Sequence, residues 1–314
     1  EAARRGLRVL VIEHGAAPGE KIRISGGGRC NFTNLNTRAE NFLGRNPRFA
    51  ISALSRFSPL DFLARVDAAG IAWHEKTLGQ LFCDGSARQV VAMLVDGLEA
   101  GGGKLWLNTT FSNISYFNHS FTIETSRGAL TSARVVVATG GKSIPKMGAT
   151  SAGYKVAETF GLPVTETRPA LVPLTFAEQE LEWLRPLAGV AVSGRVSRAT
   201  QAFDEAILFT HRGLSGPAVL QISSYWREGQ AIRTDLAPGA DLGARLRAMR
   251  GTGGRMALRT ALADLLPERL ARHLETVSGL QGPVAAQSNA GLDRLVALVH
   301  DLELRPVGTE GYRT

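Results

Sequence analysis

Uninterrupted apolar runs alternate along the first half of the chain with stretches in which apolar residues recur every three to four positions. The run LRVLVIE at 7–13 is nearly continuously apolar, which is typical of a strand buried in a parallel sheet. The run VVV within ARVVVATGG at 133–141 predicts a second buried strand that ends in a glycine turn. Helices are predicted over 48–70, 86–100 and 150–161, and short strands within 104–137.

From residue 168 the pattern changes to short apolar pieces separated by proline and glycine. RPALVPLTF, GVAVSGRVS, EAILFTH and AVLQISS each predict a strand, and together they indicate a small barrel or sandwich. Helical spacing returns over 241–276, with a break predicted at GTGG, 251–254. The apolar face predicted for these helices consists of Leu242, Leu246, Met249, Leu258, Leu262, Leu265 and Leu266.

Both ends of the sequence predict an incomplete element. EAARRG at 1–6 has the composition of a helix end that stops at Gly6, and it lacks an N-cap. LRPVGTEGYRT at 304–314 stops as abruptly. We therefore expect the chain to be truncated at both ends.

Composition narrows the classes of function. The two cysteines, Cys30 and Cys83, form no disulfide framework, CxxC pair or zinc-ligand set, and the histidines have no metal-ligand spacing, so no metal is expected. Apolar runs stay below the roughly 18 residues that span a bilayer, and the first stretch lacks a signal-peptide cleavage site. We expect a cytoplasmic location and no membrane partner.

The charge balance raises the question of nucleic acid. The chain carries 36 Lys and Arg against 28 Asp and Glu, a formal net charge of +8. Lysine is scarce and ends at Lys155, and the arginines are interspersed with acids rather than massed in one run. We interpret the excess as a compositional effect and expect no nucleic-acid partner, while a basic pocket for a phosphorylated cofactor is compatible with it.

The motif KIRISGGGRCNFTN at 21–34 is the strongest candidate for chemistry. Its three consecutive glycines permit positive φ and close approach of a ligand to the backbone, and successive N–H groups can form an anion-binding nest. Arg29 adds a charge suited to phosphate, and Asn31 and Asn34 offer donors and acceptors. A merely flexible loop is the alternative, but the Arg-Cys-Asn that follows favours a binding role.

Two further segments could belong to a dinucleotide site. Glu13 closes the first strand, where the acid of a dinucleotide-binding βαβ unit accepts hydrogen bonds from ribose hydroxyls, although a strand ending in Glu also fits a solvated surface. Thr139, Gly140 and Gly141 lie in the turn after VVV, which fits either a cofactor-contacting turn or an ordinary one. The GKS that follows is not a P-loop, because the position that would need glycine is Val136.

The segment ILFTHRGLSGPAVLQ at 207–221 contains the candidate catalytic residue, His211. It follows a predicted strand, and the loop GLSGP could bring it to the edge of a pocket, although a lone histidine there also fits a structural role. The loop is not a nucleophile elbow, because Pro217 stands where the last glycine is needed. Cys30 is expected to pack beside a redox ring and Cys83 to lie in the core.

In this order, KIRISGGGRCNFTN, VVVATGGKSIPKMGATSAGYKVAETFG, RPALVPL and ILFTHRGLSGPAVLQ resemble the BaiN/YhiN-type bacterial flavoproteins, which are aminoacetone-oxidase-like NAD(P)/FAD-dependent oxidoreductases. The resemblance covers nearly the whole chain. It implies an α/β fold in which a Rossmann-like FAD-binding domain is interrupted by a small β-barrel and a helical subdomain. The implied domains are 1–166 for FAD, 167–239 for the barrel, 240–299 for the helical insert and 300–314 for a return segment.

The resemblance also implies FAD as cofactor and NAD(P)H as electron donor. Glu13 would hold the adenosine ribose. The pyrophosphate and flavin would be lined by Lys21, Ser25, Gly26, Gly27, Gly28, Arg29, Cys30, Asn31, Asn34, Thr139, Gly140 and Gly141. The family's first strand with GxGxxG and its last glycine-rich stretch have no counterpart in the sequence, and Ala152-Gly153 stands where the family often has Asp-Gly.

These features together predict an FAD-dependent oxidoreductase. Hydride would pass through flavin N5 between NAD(P)H or an organic donor and an unidentified small organic substrate or oxygen, with His211 as candidate proton donor. An RNA-modifying flavoprotein is the alternative that the basic charge supports and the interspersed arginines disfavour. A non-catalytic flavin-binding protein is the third possibility, and the oligomeric state stays open.

Overall fold

The computed structural model describes residues 1–251 and 255–313. The chain divides into two compact units, Glu1–Thr165 and Glu166–Thr314. Most of the break predicted at 251–254 lies outside the described residues, because the described chain stops at Gly251, the last residue of a helix, and resumes at 255.

The first unit combines one parallel strand pair with two antiparallel sheets and short helices. Its helices are α1 (Glu20–Ile24), α2 (Ile51–Arg56), α3 (Pro59–Ala68), α4 (Ala87–Ala100) and α5 (Ala152–Thr159). Its strands are β1 (Leu10–Ile12), β2 (Asn31–Asn34), β3 (Trp73–Glu75), β4 (Gln80–Cys83), β5 (Lys104–Trp106), β6 (Phe111–Phe117), β7 (Ser120–Thr125) and β8 (Gly128–Ser132). β1 pairs in parallel with β5, while β2-β4-β3 and β6-β7-β8 are antiparallel.

The helix predicted over 48–70 divides at the serine–proline pair. Ser58 caps α3: its Oγ accepts from the Asp61 backbone N–H at 3.2 Å, and the Asp61 carboxylate accepts from the Ser58 N–H at 2.7 Å. Pro59 occupies the first helical position, where its missing N–H costs nothing. The cap therefore starts α3 and separates it from α2.

Two strand predictions in this unit need correction. Residues 133–141 are not in a strand, and Val136 is 87% exposed. Strand 7–13 is shorter than predicted and only half-buried, since β1 keeps Val11 40% exposed. Valine-rich runs become strands only where neighbouring backbone completes their hydrogen bonds, and within the described residues the parallel sheet consists of β1 and β5.

The second unit is organised around an antiparallel sheet. Its strands are β9 (Leu174–Thr175), β10 (Ala191–Arg198), β11 (Gln201–Thr210), β12 (Gly213–Ser215), β13 (Ile232–Asp235), β14 (Leu302–Leu304) and β15 (Gly308–Thr309). They pair in the order β14-β13-β10-β11-β12-β9-β15. Residues 300–314, expected as a return segment, supply the two outer strands of this ladder.

Helices cover the core of the second unit. They are α6 (Glu178–Leu184), α7 (Pro217–Ser223), α8 (Leu242–Gly251), α9 (Leu258–Ala263), α10 (Glu268–Ser278) and α11 (Asn289–His300). Of the apolar face predicted for 241–276, Leu242, Leu246, Leu258, Leu262 and Leu266 are buried, while Met249 and Leu265 are partly buried against the same core. This part of the sequence prediction is confirmed, because a leucine stripe at helical spacing has a sheet to pack against.

The segment AVLQISS, predicted as a strand, is helical. It forms α7 because Pro217 starts the helix, and Ala218, Val219 and Ile222 then fall on one buried face. Gly216 precedes it with φ +91°, where a Cβ would lie 2.5 Å from the Ala206 carbonyl oxygen of β11. A short apolar run such as AVLQISS can form either a strand or a helix. Here the close packing of Gly216 against β11 favours the helix α7.

A half-buried histidine links two helices of this unit. His273 on α10 packs edge-on against Trp183 of α6, with ring centroids 5.3 Å apart. Its buried Nε2 has no hydrogen-bond partner among the described residues. Burial lowers the pKa of His273 below its ordinary value, although a hydrogen bond to the Trp183 backbone opposes the effect. The folded state therefore disfavours the charged imidazolium.

We expect acid to weaken this contact. Because the pKa of His273 is lowered in the folded state, the unfolded chain binds the proton first, and the free energy of unfolding should fall as pH drops below about 6.5. Each unit of lowering corresponds to about 1.4 kcal/mol. Urea unfolding at pH 7 and pH 5 should show a smaller acid loss in His273→Gln than in the wild type.

The matched control is His211→Gln, which changes an exposed histidine in the same unit. It should keep the wild-type difference between the two pH values. Equal acid losses in all three proteins would remove His273 as the titrating group.

Candidate functional site

The glycine-rich motif forms a tight turn directly after α1. Residues Ser25–Gly28 make a 3-10 turn in which Gly26, Gly27 and Gly28 have φ values of +58°, +67° and +85°. A Cβ at Gly26 would lie 2.7 Å from the Phe82 ring, so this glycine is needed for packing. A Cβ at Gly27 would meet nothing within 4 Å, and one at Gly28 only the Arg23 carbonyl oxygen at 3.9 Å. The turn therefore presents bare, left-handed backbone to open space, which is the cradle that a phosphate group fits.

A second loop, residues 139–143, is joined to this turn. The Lys21 ammonium on α1 donates to the Ser143 carbonyl oxygen at 2.8 Å. Thr139 and Gly140 are exposed, and Gly140 has φ +72° with open space where a Cβ would stand. Lys21, predicted as a cofactor ligand, thus uses one donor to hold the two glycine loops together.

The first turn of α5 packs under this second loop. A Cβ on Gly153 would lie 2.7 Å from Thr139 Oγ1, and one on Gly141 would lie 3.1 Å from the Tyr154 hydroxyl. Lys142 lies over the Tyr154 ring, 5.2 Å from its centroid. Because residue 153 is glycine, Thr139 can lie directly against α5. This packing needs the glycine and does not depend on whether residue 152 is alanine, as here, or aspartate.

Glu13 lies at the end of β1 and anchors a third loop. Its Oε1 accepts from the Gly15 backbone N–H at 2.7 Å and lies 3.0 Å from His14 Nδ1. A Cβ on Gly148 would lie 2.4 Å from His14 Nε2, so His14 packs against the turn that follows the second loop. Sequence analysis did not identify His14. Its only signal was its position next to Glu13.

The remaining predicted side chains fall into two groups. Arg29 and Asn31 are exposed beside the glycine turn. Asn34 joins the end of β2 to the turn between β3 and β4, donating to the Leu78 carbonyl oxygen at 3.1 Å and accepting from the Asn36 N–H at 2.8 Å. The Ser25 hydroxyl donates to the Ile22 carbonyl oxygen at 2.8 Å.

Both cysteines lie in the floor below the turn. Cys30 is 5% exposed and Cys83 fully buried, in one apolar cluster with Val66, Ile71 and Val90. Burial raises the pKa of the Cys83 thiol, and the nearby Cys30 adds to the effect. The core position predicted for Cys83 is confirmed, and Cys30 shares that core.

The predicted catalytic residue belongs to the second unit. His211 lies exposed in the tight turn between β11 and β12. The Thr210 hydroxyl accepts from the Arg212 N–H at 3.3 Å and stabilises that turn. A role for His211 in catalysis stays a prediction.

Within residues 1–251 and 255–313, no group of three or more His, Cys, Asp and Glu is arranged to hold a metal ion. Over the same ranges, no helix is long and apolar enough to cross a bilayer.

Basic charge is concentrated in the first unit. Residues 1–165 contain 19 Lys and Arg against 12 Asp and Glu, a net charge of +7, whereas residues 166–314 contain 17 against 16, a net charge of +1. In the second unit many arginines pair with acids, for example Arg195 with Asp204 at 2.5 Å and Arg233 with Glu303 at 3.3 Å. The arginines of the second unit are interspersed with acids, as the sequence indicates, whereas nearly all of the basic excess lies in the first unit.

Comparison with known proteins agrees with this architecture. The family model for the HI0933-like protein Rossmann domain matches residues 1–292. A ribosomal RNA dihydrouridine synthase of Escherichia coli is 45% identical over 100% of this chain and 79% of its own length. A protein of the same name from Haemophilus influenzae is 38% identical over 100% of the chain and 80% of its own length. A 3-dehydro-bile acid delta(4,6)-reductase of Clostridium scindens is 27% identical over 74% of the chain and 58% of its own length.

These relatives correct one expectation and confirm another. The expectation of no nucleic-acid partner is wrong, since two relatives that align with the whole chain are named for a reaction on ribosomal RNA. The α/β fold with a Rossmann-like FAD-binding domain is confirmed. With a family model over 292 residues and two whole-chain relatives above 30% identity, the chain belongs to the HI0933-like family of Rossmann-domain, flavin-dependent oxidoreductases.

Proposed function

We propose that the protein is an FAD-dependent reductase that converts a uridine of ribosomal RNA to dihydrouridine. The observation that carries the proposal is the 45% identity, over the entire chain, to a ribosomal RNA dihydrouridine synthase. The basic excess of the first unit supports it, because a polyanionic substrate is attracted to positive charge. This was the alternative that sequence analysis placed second to a small-molecule oxidoreductase.

The reaction is the reduction of one carbon–carbon double bond. A hydride is added to one carbon of the uracil C5–C6 bond and a proton to the other, which leaves the ring saturated at both positions. FAD bound here and reduced by NAD(P)H, the donor we propose, would supply the hydride, and NAD(P)H would leave as NAD(P)+. The distant relative named as a bile acid reductase belongs to the same general class of reaction, reduction of a substrate.

The described residues fit the cofactor. Gly27 and Gly28 would let the pyrophosphate approach the backbone, with Arg29 supplying the opposite charge. Glu13 would accept from the ribose, and Gly140 would permit close approach from the second loop. Ser25, Cys30 and Asn34 would support the turn, since Ser25 and Asn34 donate to backbone carbonyl oxygens and Cys30 is buried.

Proton delivery needs a group that reaches the substrate. Neither thiol qualifies, because Cys30 and Cys83 lie in the apolar cluster. His211 remains our candidate, since its imidazole is exposed and can carry a proton. We propose the domain division 1–166 for FAD binding, 167–239 for the barrel, 240–299 for the helical insert and 300–314 for a return segment, whose strands β14 and β15 lie at the two edges of the second unit's sheet.

The glycine cradle can be tested with a matched pair of substitutions. Gly27→Ala places a methyl group in the open space of the turn, whereas Gly70→Ala does the same at φ +65° beyond the end of α3, again with nothing within 4 Å. Both changes add about 1 kcal/mol of backbone strain. We expect Gly27→Ala alone to weaken FAD binding at least about tenfold, which corresponds to 1.4 kcal/mol, measured by quenching of FAD fluorescence. Equal FAD affinities for the two variants would show that the turn is not the cofactor site.

The electron donor can be identified from the flavin spectrum. We expect NADPH or NADH to bleach the visible flavin bands of the purified protein without oxygen, and readmitted oxygen to restore them. Dithionite serves as the control reductant. Bleaching by dithionite but by neither nicotinamide would exclude NAD(P)H as donor.

The reaction itself can be tested by complementation. In an Escherichia coli strain whose own ribosomal RNA dihydrouridine synthase has been deleted, expression of this protein should restore dihydrouridine in ribosomal RNA, measured by mass spectrometry of nucleosides. Gly27→Ala should restore less than Gly70→Ala. Protein that accumulates with bound flavin but produces no dihydrouridine would contradict the proposed reaction.

A further inference from the structure

One stretch of the first unit combines basic and aromatic side chains with almost no acid. We call residues 38–57, RAENFLGRNPRFAISALSRF, the arginine–phenylalanine segment. Its members of interest are Arg38, Arg45, Arg48 and Arg56, together with Phe42, Phe49 and Phe57, and its single acid is Glu40. The cofactor motif does not include this segment, which begins four residues after it ends.

The segment is open to solvent over most of its length. Every residue from 40 to 49 is exposed, and Phe49 and Phe42 are 83% and 51% exposed. Ala50 is its buried member, at 7% exposure. Fully exposed phenylalanine costs about 1.5–3 kcal/mol relative to burial. A run of such residues therefore indicates a surface that is covered when the protein works.

Local hydrogen bonds hold the backbone in this open arrangement. The Asn41 Oδ1 accepts from the Arg38 N–H at 2.7 Å, and the Asn46 Oδ1 accepts from the Arg48 N–H at 3.0 Å. These asparagine turns shape the chain without using the arginine side chains. The exposed rings and guanidinium groups are thus presented by a defined turn structure.

Phe57 differs from the other two rings. It packs edge-on against Phe62, with centroids 6.4 Å apart, and Arg65 lies over its face at 4.9 Å. Phe42 and Phe49 have no ring contact within the described part of the chain. Phe57 therefore anchors the segment to α3, while Phe42 and Phe49 are available to a partner.

We propose that the arginine–phenylalanine segment binds single-stranded RNA of the substrate, with the arginines on phosphates and Phe42 and Phe49 stacked on bases. This inference rests on the proposed function for the identity of the RNA. Interleaved arginine and exposed aromatic side chains suit RNA loops, because each base offers a ring face and each nucleotide a phosphate. A uridine must also be unstacked before its ring can be reduced, so an unpaired loop of the RNA is the substrate that we expect.

Charge favours RNA over a second copy of the chain. In a twofold interface the same patch meets itself, so four arginines with one acid would face four more. Like charges brought together in this way repel. A polyanion has the complementary charge, and the counterions that it releases add to affinity.

The position of the segment couples it to the cofactor site. β2 begins three residues after Gly28 and ends at Asn34, and the segment begins four residues later. Asn34 and Asn36 both donate to the Leu78 carbonyl oxygen, which fixes the chain where it leaves β2. RNA bound by the segment would thus be held by the same short stretch of chain that carries the glycine turn.

The test measures binding of protein-free ribosomal RNA, taken from the deletion strain, by filter retention of the purified protein from 50 to 200 mM KCl. Arg45→Gln/Arg48→Gln should weaken binding roughly 10- to 100-fold at 100 mM KCl and lower the salt slope by about 1 to 2. Phe49→Ala should weaken binding roughly 5- to 100-fold and leave the slope unchanged, since it removes stacking and no charge.

Matched controls separate the segment from general surface effects. Phe117→Ala removes a ring that is 77% exposed at the β6–β7 turn. Arg134→Gln/Arg294→Gln removes the same charge from two exposed positions elsewhere. Both should bind RNA within about twofold of the wild type, and all variants should keep the wild-type melting temperature and FAD affinity.

If the segment variants bind RNA as tightly as the control variants do, the inference is wrong, whatever the complementation shows. It is also overturned by wild-type protein that binds vesicles of phosphatidylglycerol and phosphatidylethanolamine but not RNA, or by a dimer that Arg45→Gln/Arg48→Gln dissociates without changing RNA binding. Absence of dihydrouridine in the complemented strain, with segment-dependent RNA binding intact, would instead remove the proposed reaction and support the surface.

Discussion

The candidate site depends on one close contact, that of Gly26 with the ring of Phe82. Because no side chain is present at Gly26, the turn can lie directly on β4, and the left-handed backbone of the next two glycines is turned toward open space. Cys30, also at positive φ, returns the chain to the apolar cluster and into β2. The same three-glycine sequence thus contains one position needed for packing and two that can receive a ligand.

The other loops of the site are placed by contacts far apart in sequence. Lys21 and Ser143 are 122 residues apart, and their hydrogen bond joins the glycine turn to the loop after 135–137. His14 packs at Gly148, which brings the end of β1 to the same region. Lys21 was predicted from the sequence as a cofactor ligand, whereas His14 was given no role. A lysine beside a phosphate cradle can serve the architecture of the cradle as well as the ligand.

The two units differ in how far their basic charge is balanced by acids, and this difference bears on the proposed substrate. In the second unit most of the charge is neutralised within the sheet and between helices, as in the pairs of Arg195 and Arg233. In the first unit the excess is left unneutralised, and part of it lies beside exposed phenylalanines. Surface pairs contribute little to stability, so their main effect here is on the field that each unit presents to a polyanion.

By itself, the sequence determined the helices with caps or apolar stripes and the position of the glycine turn. The structure has α4 within the predicted helix 86–100 and a helical core at the predicted leucines of 242–266, because a serine cap and an apolar stripe are local features. The tertiary structure decided what local pattern leaves open. Whether 135–137 pairs as a strand depends on neighbouring backbone, and whether AVLQISS is helix or strand depends on its packing against β11. Which polar side chains of the motif bind backbone instead of a ligand depends on contacts such as that of Asn34 with Leu78. Pairing, burial and net field are properties of residues brought together in space, and a linear pattern does not contain them.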